Sequence, residues 1–218
     1  MKIKFIGHSC FLITTGDGTR ILTDPYEAGC YDGAMKYRSI EDPADIVLVS
    51  HDHPDHSASS EVPGEPRVVD HPGQTSFGDI EVLGVPVWHD TSGGAERGSN
   101  IVFRVRVDGL TICHLGDIGH SLDRATAGKI LPVDVLLVPV GGYFTADKKA
   151  VDDLISVLGP RLVIPMHFKT AGCDFPIASV EDFLEGGKEV TRPGSSQISL
   201  TPGGIPQGIL VLEPANLP

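Results

Sequence analysis

Residues 51–56 read His-Asp-His-Pro-Asp-His and follow the aliphatic run Ile46-Val47-Leu48-Val49 after one residue, Ser50. The motif packs imidazole nitrogens and carboxylate oxygens, both donors for a divalent cation, into six positions. A core does not absorb that many titratable groups, and a solvated charge run does not begin on a buried strand. In extended backbone His51 and His53 point the same way, because they are two residues apart. Pro54 then starts a turn, where its missing N–H costs nothing. Asp55 and His56 lie on that turn and face another direction. One loop can thus feed two adjacent metal positions, His51 and His53 on the first, Asp55 and His56 on the second.

Each position needs further donors, and other strand ends offer them. His89 follows a strand ending Pro-Val-Trp and completes a three-histidine set with His51 and His53. His167 follows Leu162–Ile164 and joins Asp55 and His56. Asp117, after His114-Leu115-Gly116, has two carboxylate oxygens and suits a bridge. A set of nitrogen and oxygen donors without thiolate fits Zn²⁺, and also Mn²⁺ or Fe. The four cysteines form no C-x-x-C pair, so a cysteine zinc cluster is disfavoured and free thiols are expected. Asp24, in Ile-Leu-Thr-Asp-Pro-Tyr, can orient a metal-bound water or a histidine, or simply open a turn before Pro25. His114 is a candidate brace for a ligand or carboxylate. His8 sits in a Gly-His-Ser turn and reads equally as turn or site residue; His71 and His120 fall in polar loops.

The elements that must hold these residues are short. Ile3–Ile6, Phe11–Thr15 and Arg20–Thr23 are strand patterns separated by turn chemistry. Residues 26–45 are long and non-periodic, as functional loops often are. Ile46–Val49 suits a strand buried on both faces, and a short helix fits after His56. Ile80–Val87 is a strand, and residues 100–113 alternate as a hairpin around Asp108-Gly109. Val135–Val138 and Leu162–Ile164 are buried strands. Between them Thr145 can cap a helix whose stripe is Val151, Leu154, Ile155 and Leu158, ended by Gly159-Pro160. Ser179 caps a helix over 180–185, and a last strand lies near 209–212. Strands and helices mix throughout, which implies an α/β (α+β) arrangement of helix-covered sheets.

With 218 residues and no linker-like stretch, a single domain over 1–218 is expected. The formal charge of −12, without a Lys/Arg cluster, disfavours nucleic acid as a partner. No apolar run approaches a membrane span. The N-terminus reads as a first hairpin and not a targeting segment, so the expected location is cytoplasmic.

In order along the chain, the motif at 51–56, His89, Gly116-Asp117 and His167 resemble the metallo-β-lactamase superfamily, with Asp24 at the family's first aspartate position. Gly7-His8-Ser9-Cys10-Phe11, Trp88-His89, residues 114–119 (HLGDIG), 139–144 (PVGGYF) and 164–168 (IPMHF) are similar to a smaller branch, the metal-dependent hydrolases like L-ascorbate-6-phosphate lactonase. The resemblance covers about Met1–His167. It implies a four-layer αββα sandwich of two mixed sheets flanked by helices, with a dinuclear site on one edge. His51, His53 and His89 would hold one metal; Asp55, His56 and His167 the other; Asp117 would bridge.

On this basis a metal-bridging hydroxide is expected to attack an ester, lactone, amide or phosphodiester of a small, anionic molecule. Asp55 serves as ligand, Asp24 orients the nucleophile, and His114 or His120 protonates the leaving group. Residues 26–45 and 141–145 are expected as walls or lid. The rival readings are an iron-dependent oxidoreductase at the same ligands and a non-catalytic metal-binding scaffold. Relatives of the lactonase branch oligomerise, so a homo-oligomer is an admissible state.

Overall fold

Two mixed sheets stand face to face in the computed structural model, which describes residues 1–218. The first strand shows why. β1 (Lys2–Gly7) alternates, burying Ile3 and Phe5 and leaving Lys2 in water. It pairs antiparallel with β2 (Cys10–Thr14), and β2 with β3 (Arg20–Thr23). β4 (Ile46–Leu48) lies parallel to β3, and β5 (Arg67–Val69) parallel to β4.

The second sheet begins with β6 (Gly73–Phe77), β7 (Ile80–Trp88), β8 (Ser99–Val107) and β9 (Leu110–His114), an antiparallel meander. Asp108 and Gly109 both adopt positive φ between β8 and β9, the type I′ geometry that matches strand twist. β10 (Val135–Pro139) and β11 (Leu162–Met166) continue it in parallel. The short β12 (Val190–Thr191) and β14 (Gly208–Leu210) finish that sheet, while β13 (Gln197–Ser199) crosses back to pair with β1.

Ile3, Phe5, Phe11, Ile13, Ile21 and Leu48 from the first sheet share one buried cluster with the second sheet. Helices α1 (Arg124–Ile130) and α2 (Lys148–Leu158) belong to the same cluster through Ala127, Ile130, Val151, Leu154 and Leu158, as does α3 (Val180–Leu184) through Val180 and Phe183. The outer face of the first sheet is covered differently. Ile6, Leu12, Leu22, Val47 and Val49 pack under Tyr26, Cys30, Met35 and Tyr37 of the long loop, together with Cys173 and Ile177. This outer layer is coil, with a left-handed turn at its centre: Tyr31 and Asp32 have φ of 55° and 54° between Gly29 and Gly33.

Several local expectations are corrected. The chain after His56 forms a 3₁₀ turn at Ser59–Glu61, not an α-helix; Pro63-Gly64 leaves no length for more. The cap of α2 is Asp147, whose carboxylate accepts from Ala150 N at 2.8 Å; Thr145 lies buried before it. α1 was not expected from the pattern; Asp123 caps it through Thr126 N. The capping of α3 at Ser179 is as expected, with Asp182 Oδ2 accepting from Ser179 N.

The pairing directions set β1, β3 and β4 parallel in one sheet and β7, β9, β10 and β11 parallel in the other. Their carboxyl ends meet at one rim, and the candidate residues all follow those ends.

Candidate metal centre

His8 follows β1, Asp24 follows β3 and His51 follows β4; His89 follows β7, His114 ends β9 and His167 follows β11. At three of these positions the first residue after the strand is left-handed: His8 (φ 55°), Asp24 (φ 39°) and His167 (φ 51°). Non-glycine residues rarely accept that conformation, and it swings each side chain out of the strand direction toward the rim. The two sheets are stitched there by main chain. Ile101 N donates to Ser50 O at 2.9 Å and His167 N to His8 O at 2.8 Å.

The donors fall into two groups. His51, His53 and His89 offer nitrogens that all lie within 4.8 Å of one another, and so do the ligand atoms of His8, Asp55, His56 and His167. Asp117 stands between them. Its Oδ2 is 3.4 Å from His89 Nε2, 3.2 Å from His56 Nε2 and 3.1 Å from His167 Nε2. All seven residues expected as metal donors are thus brought to one place, and Asp117 touches members of both groups.

Asp117 is positioned by an approach that only glycine permits. Gly116 (φ 54°) lies against Ser50 and Asn100, where a Cβ would collide with both side chains. Asn100 Oδ1 accepts from Asp117 N at 3.0 Å, and Asn100 Nδ2 donates to Leu115 O at 2.8 Å.

Asp24 does not face the open side. Its carboxylate accepts from Ser50 N (2.8 Å), Ser50 Oγ (2.6 Å) and His56 Nδ1 (2.9 Å). Of the roles open to it, the structure shows the holding of a histidine, and its expected role toward the nucleophile is set aside. Ser50 Oγ also lies 2.9 Å from His51 Nδ1. Both rings therefore have one nitrogen engaged from behind and present Nε2 to the centre.

The expectation that His114 or His120 protonates a leaving group is corrected. His114 is buried, with Nε2 2.9 Å from the carbonyl of Ser9 and Nδ1 accepting from Gly116 N at 3.1 Å. The carbonyl places a proton on Nε2 and holds it there, and Nδ1 is occupied as an acceptor, so neither nitrogen faces the donor cluster with a free proton. His114 braces the β1–β2 turn against the end of β9. His120 is likewise engaged, between Trp88 N (3.2 Å) and Ser121 O (2.8 Å). His8, which the sequence left between turn and site, is both: Nε2 is 3.0 Å from Asp55 Oδ2 and the ring packs 4.2 Å from that of His167. The Gly-His-Ser motif was the available signal. Tyr31 was missed as an individual residue; its hydroxyl donates to Asp55 Oδ1 at 3.2 Å.

Electrostatics separate the two groups. Burial drives the His51 imidazole down to about 3, helped by His56, and lowers His53 as well. Burial, with His167, also takes His8 down to about 4, so its Nε2–H donates to Asp55. Burial works against the charge of Asp117, but His167 and His56 hold its carboxyl well below the usual carboxylate range. Burial likewise opposes Asp55, which His56 and His8 hold low. His56 is the exception among the rings: burial would lower it, yet Asp117 and Asp55 raise it well above its ordinary value.

Three buried, metal-capable atoms at the centre, His51 Nε2, His56 Nε2 and Asp117 Oδ1, have no hydrogen-bond partner. Unsatisfied buried groups are costly. Divalent ions held by nitrogen and oxygen would satisfy all of them, so the residues fit a dinuclear metal site. A cavity of about 430 Å³ opens on the donors and is walled by Tyr31 and Ala34 of the long loop, Phe144, and Phe175. The 26–45 and 141–145 segments thus both line it. Phe175, in the part of the chain that carried little signal, does so too.

Comparison with known proteins agrees with this geometry. Residues 2–167 match the model of the β-lactamase superfamily domain. The chain is 33% identical to a UPF0173 metal-dependent hydrolase of Carboxydothermus hydrogenoformans over 89% of its length and 98% of the relative's. It superposes on a structure from Thermotoga maritima, described as a proposed Zn-dependent hydrolase of the metallo-β-lactamase superfamily, with a TM-score of 0.81, 33% identity and coverage of 97% and 98% of the two chains. CmlA, a diiron β-hydroxylase from Streptomyces venezuelae, shares the fold alone, with a TM-score of 0.56 and 18% identity over 76% of this chain and 44% of that one. No helix is long and apolar enough to cross a membrane.

Proposed function

Because the chain belongs to the metallo-β-lactamase superfamily, and within it to the UPF0173 metal-dependent hydrolases, we propose that it uses two divalent ions, zinc in the first instance, to hydrolyse a small anionic ester, lactone, amide or phosphodiester. The position of Asp117 Oδ2, within 3.4 Å of histidines from both donor groups, is the observation that carries this reading. His51, His53 and His89 would hold one ion, Asp55, His56 and His167 the other, and Asp117 both. When bound, such a pair supplies a water that ionises near neutral pH and a Lewis acid for the oxygen of the attacked bond.

The chain's own groups do the rest. Asp24 and Ser50 fix the His56 and His51 rings so that no reorganisation is needed when a ligand arrives. His8 and Tyr31 take up the two oxygens of Asp55 and set its plane. Burial and Asp55 raise the Tyr31 phenol, which therefore keeps its proton and can donate it in a hydrogen bond. The aromatic residues Tyr31, Phe144 and Phe175 give the substrate side an apolar wall. The sequence motifs that resemble the L-ascorbate-6-phosphate lactonase branch, those at 114–119 and 164–168 among them, are the sole support for a lactone among the candidate bonds.

The test is metal content together with hydrolysis. Protein purified without added metal and then reconstituted with zinc, manganese or iron should bind close to two equivalents and cleave members of a panel of lactones, carboxylic esters and phosphodiesters. Protein carrying both ions that hydrolyses nothing in the panel would count against the reading. Stoichiometric iron with oxygen consumption would transfer support to the oxidoreductase.

A further inference from the structure

We infer that the cavity is built for an organic anion with a flat apolar body, the body lying against Tyr31, Phe144 and Phe175 and the anionic group on Arg97. The inference rests on the hydrolase reading and narrows its substrate class.

The three aromatic rings form a continuous edge-to-face wall. Tyr31 and Phe175 have centroids 5.4 Å apart at 76°, and Phe144 and Phe175 5.8 Å apart at 77°. Such a surface favours planar or apolar groups and gives little to an inorganic ion. Arg97 is the single Lys or Arg in the cavity lining. Its guanidinium carbon lies 5.8 Å from the Phe144 ring centroid, so the cation is stacked on the same wall. The guanidinium donates no hydrogen bond to a protein acceptor. Its one carboxylate neighbour, Glu96 at 3.5 Å, is solvent-exposed and beyond good hydrogen-bond length. A five-donor planar fork beside a pocket, whose only ion pair is this long and exposed one, is suited to a carboxylate or phosphate.

Arg97 is also delivered to this place by a closed loop. The Asp90 carboxylate accepts from four main-chain donors of its own loop: Ser92 N and Gly94 N at 2.8 Å, Glu96 N at 3.0 Å and Arg97 N at 2.8 Å. His89 N donates to Gly98 O at 3.1 Å across the loop base. The loop begins at a metal donor and ends at the cation, so it fixes the span between the bond to be cut and the anionic group. Beyond Arg97 a second cavity of about 400 Å³ is lined by Asp147, Lys149 and Asp153. Its lysine is already paired with Asp153 at 3.2 Å, which leaves Arg97 as the anion's partner.

The metal-loaded full chain would be tested with three methyl esters: the monomethyl ester of phenylsuccinic acid, which carries ring and carboxylate; methyl 3-phenylpropanoate, ring alone; and monomethyl succinate, carboxylate alone. The first should exceed each of the others in kcat/KM by about tenfold or more. Arg97→Gln should remove the advantage over the uncharged ester, and Phe175→Ala the advantage over the ringless one. Calorimetric binding of 3-phenylpropanoate against 3-phenylpropanamide supplies a readout independent of turnover: wild type should favour the anion, and Arg97→Gln should favour it measurably less. Equal rates for all three esters, or a charge preference untouched by Arg97→Gln, would overturn the inference while leaving the hydrolase reading intact. Absence of hydrolysis with both ions bound would instead strike the hydrolase reading, and the binding pair would still decide the role of Arg97.

Discussion

His8 and His167 are joined twice: the main-chain N–H of His167 donates to the carbonyl of His8 at 2.8 Å, and their rings lie 4.2 Å apart. One residue ends a strand of the first sheet and the other a strand of the second. The donor set therefore spans the seam between the sheets, and ions seated there would tie the two halves together.

Removing the ions should accordingly loosen the rim. A ligand present at a hundred times its dissociation constant adds about 2.7 kcal/mol to stability. Chelation should lower the melting temperature by several degrees per site, and hydrogen exchange should rise first at residues 51–56 and 116–117. Calorimetry with and without chelator measures it; an unchanged melting temperature would show that the seam closes without metal.

Asp117→Ala removes the carboxylate that touches both donor groups. We expect hydrolysis to fall by about a thousandfold or more and at least one equivalent of metal to be lost. The fold, whose buried cluster lies behind the rim, should survive by circular dichroism. Full metal content in this variant would contradict the bridging position.

Asp24→Asn keeps the shape but weakens the grip on His56 Nδ1. Supporting partners of this kind are worth about 10–100-fold in metal affinity. Competition against a chromophoric chelator should show that loss mainly at the group containing His56, with the His51, His53 and His89 group moved less.

Loading should depend on pH unequally at the two positions. In the metal-free protein Asp117 and Asp55 raise His56 well above its ordinary value, so an ion there must displace a proton. Affinity at that position should rise with pH, about tenfold per unit for one proton displaced, until pH passes the raised value of His56. His51, down to about 3, and the lowered His53 have less proton to lose, so affinity at the other position should depend on pH less steeply across the neutral range. Titrations from pH 6 to 8 that gave identical slopes for both ions would refute this division.

His114→Phe should separate a brace from an acid. The substitution leaves Ser9 O and Gly116 N without their partner, at about 1–3 kcal/mol for each group. Stability should drop while the pH profile of kcat keeps its shape. A lost alkaline limb in that profile would restore His114 to the chemistry.

The centre was legible because donor types stand at the ends of aliphatic runs. Residues 51–56, His89, Asp117 and His167 each follow a strand whose burial the pattern revealed. The fold class followed from the same strands and from the resemblance they supported. What escaped notice lacked a periodic signal. β6 reads Gly-Gln-Thr-Ser-Phe, mostly exposed, and β12 has two residues. α1 includes Gly128 and shows too short a stripe to declare itself. Thr145 looked like a cap because caps are chosen by residue type, yet Asp147 stood two positions nearer the helix. The roles of Asp24 and His114 turned on which way a side chain faces, which spacing alone does not reveal. Arg97 and Tyr31 come from glycine-rich, irregular stretches whose path is set by Asp90 and by left-handed turns.

The coil that covers the first sheet has a consequence for divergence. The ion seat hangs from strand ends, where any shift would propagate through a hydrogen-bonded ladder. Tyr31, Ala34 and Phe175 hang from loops tied to each other by one antiparallel bridge, Met35 to Cys173, and not by a sheet. A library randomised at Ala34 and Phe175, whose side chains make no hydrogen bond to a metal donor, should therefore redirect selectivity without disturbing metal occupancy, and related chains are free to change what they cleave by redrawing this coat of loop.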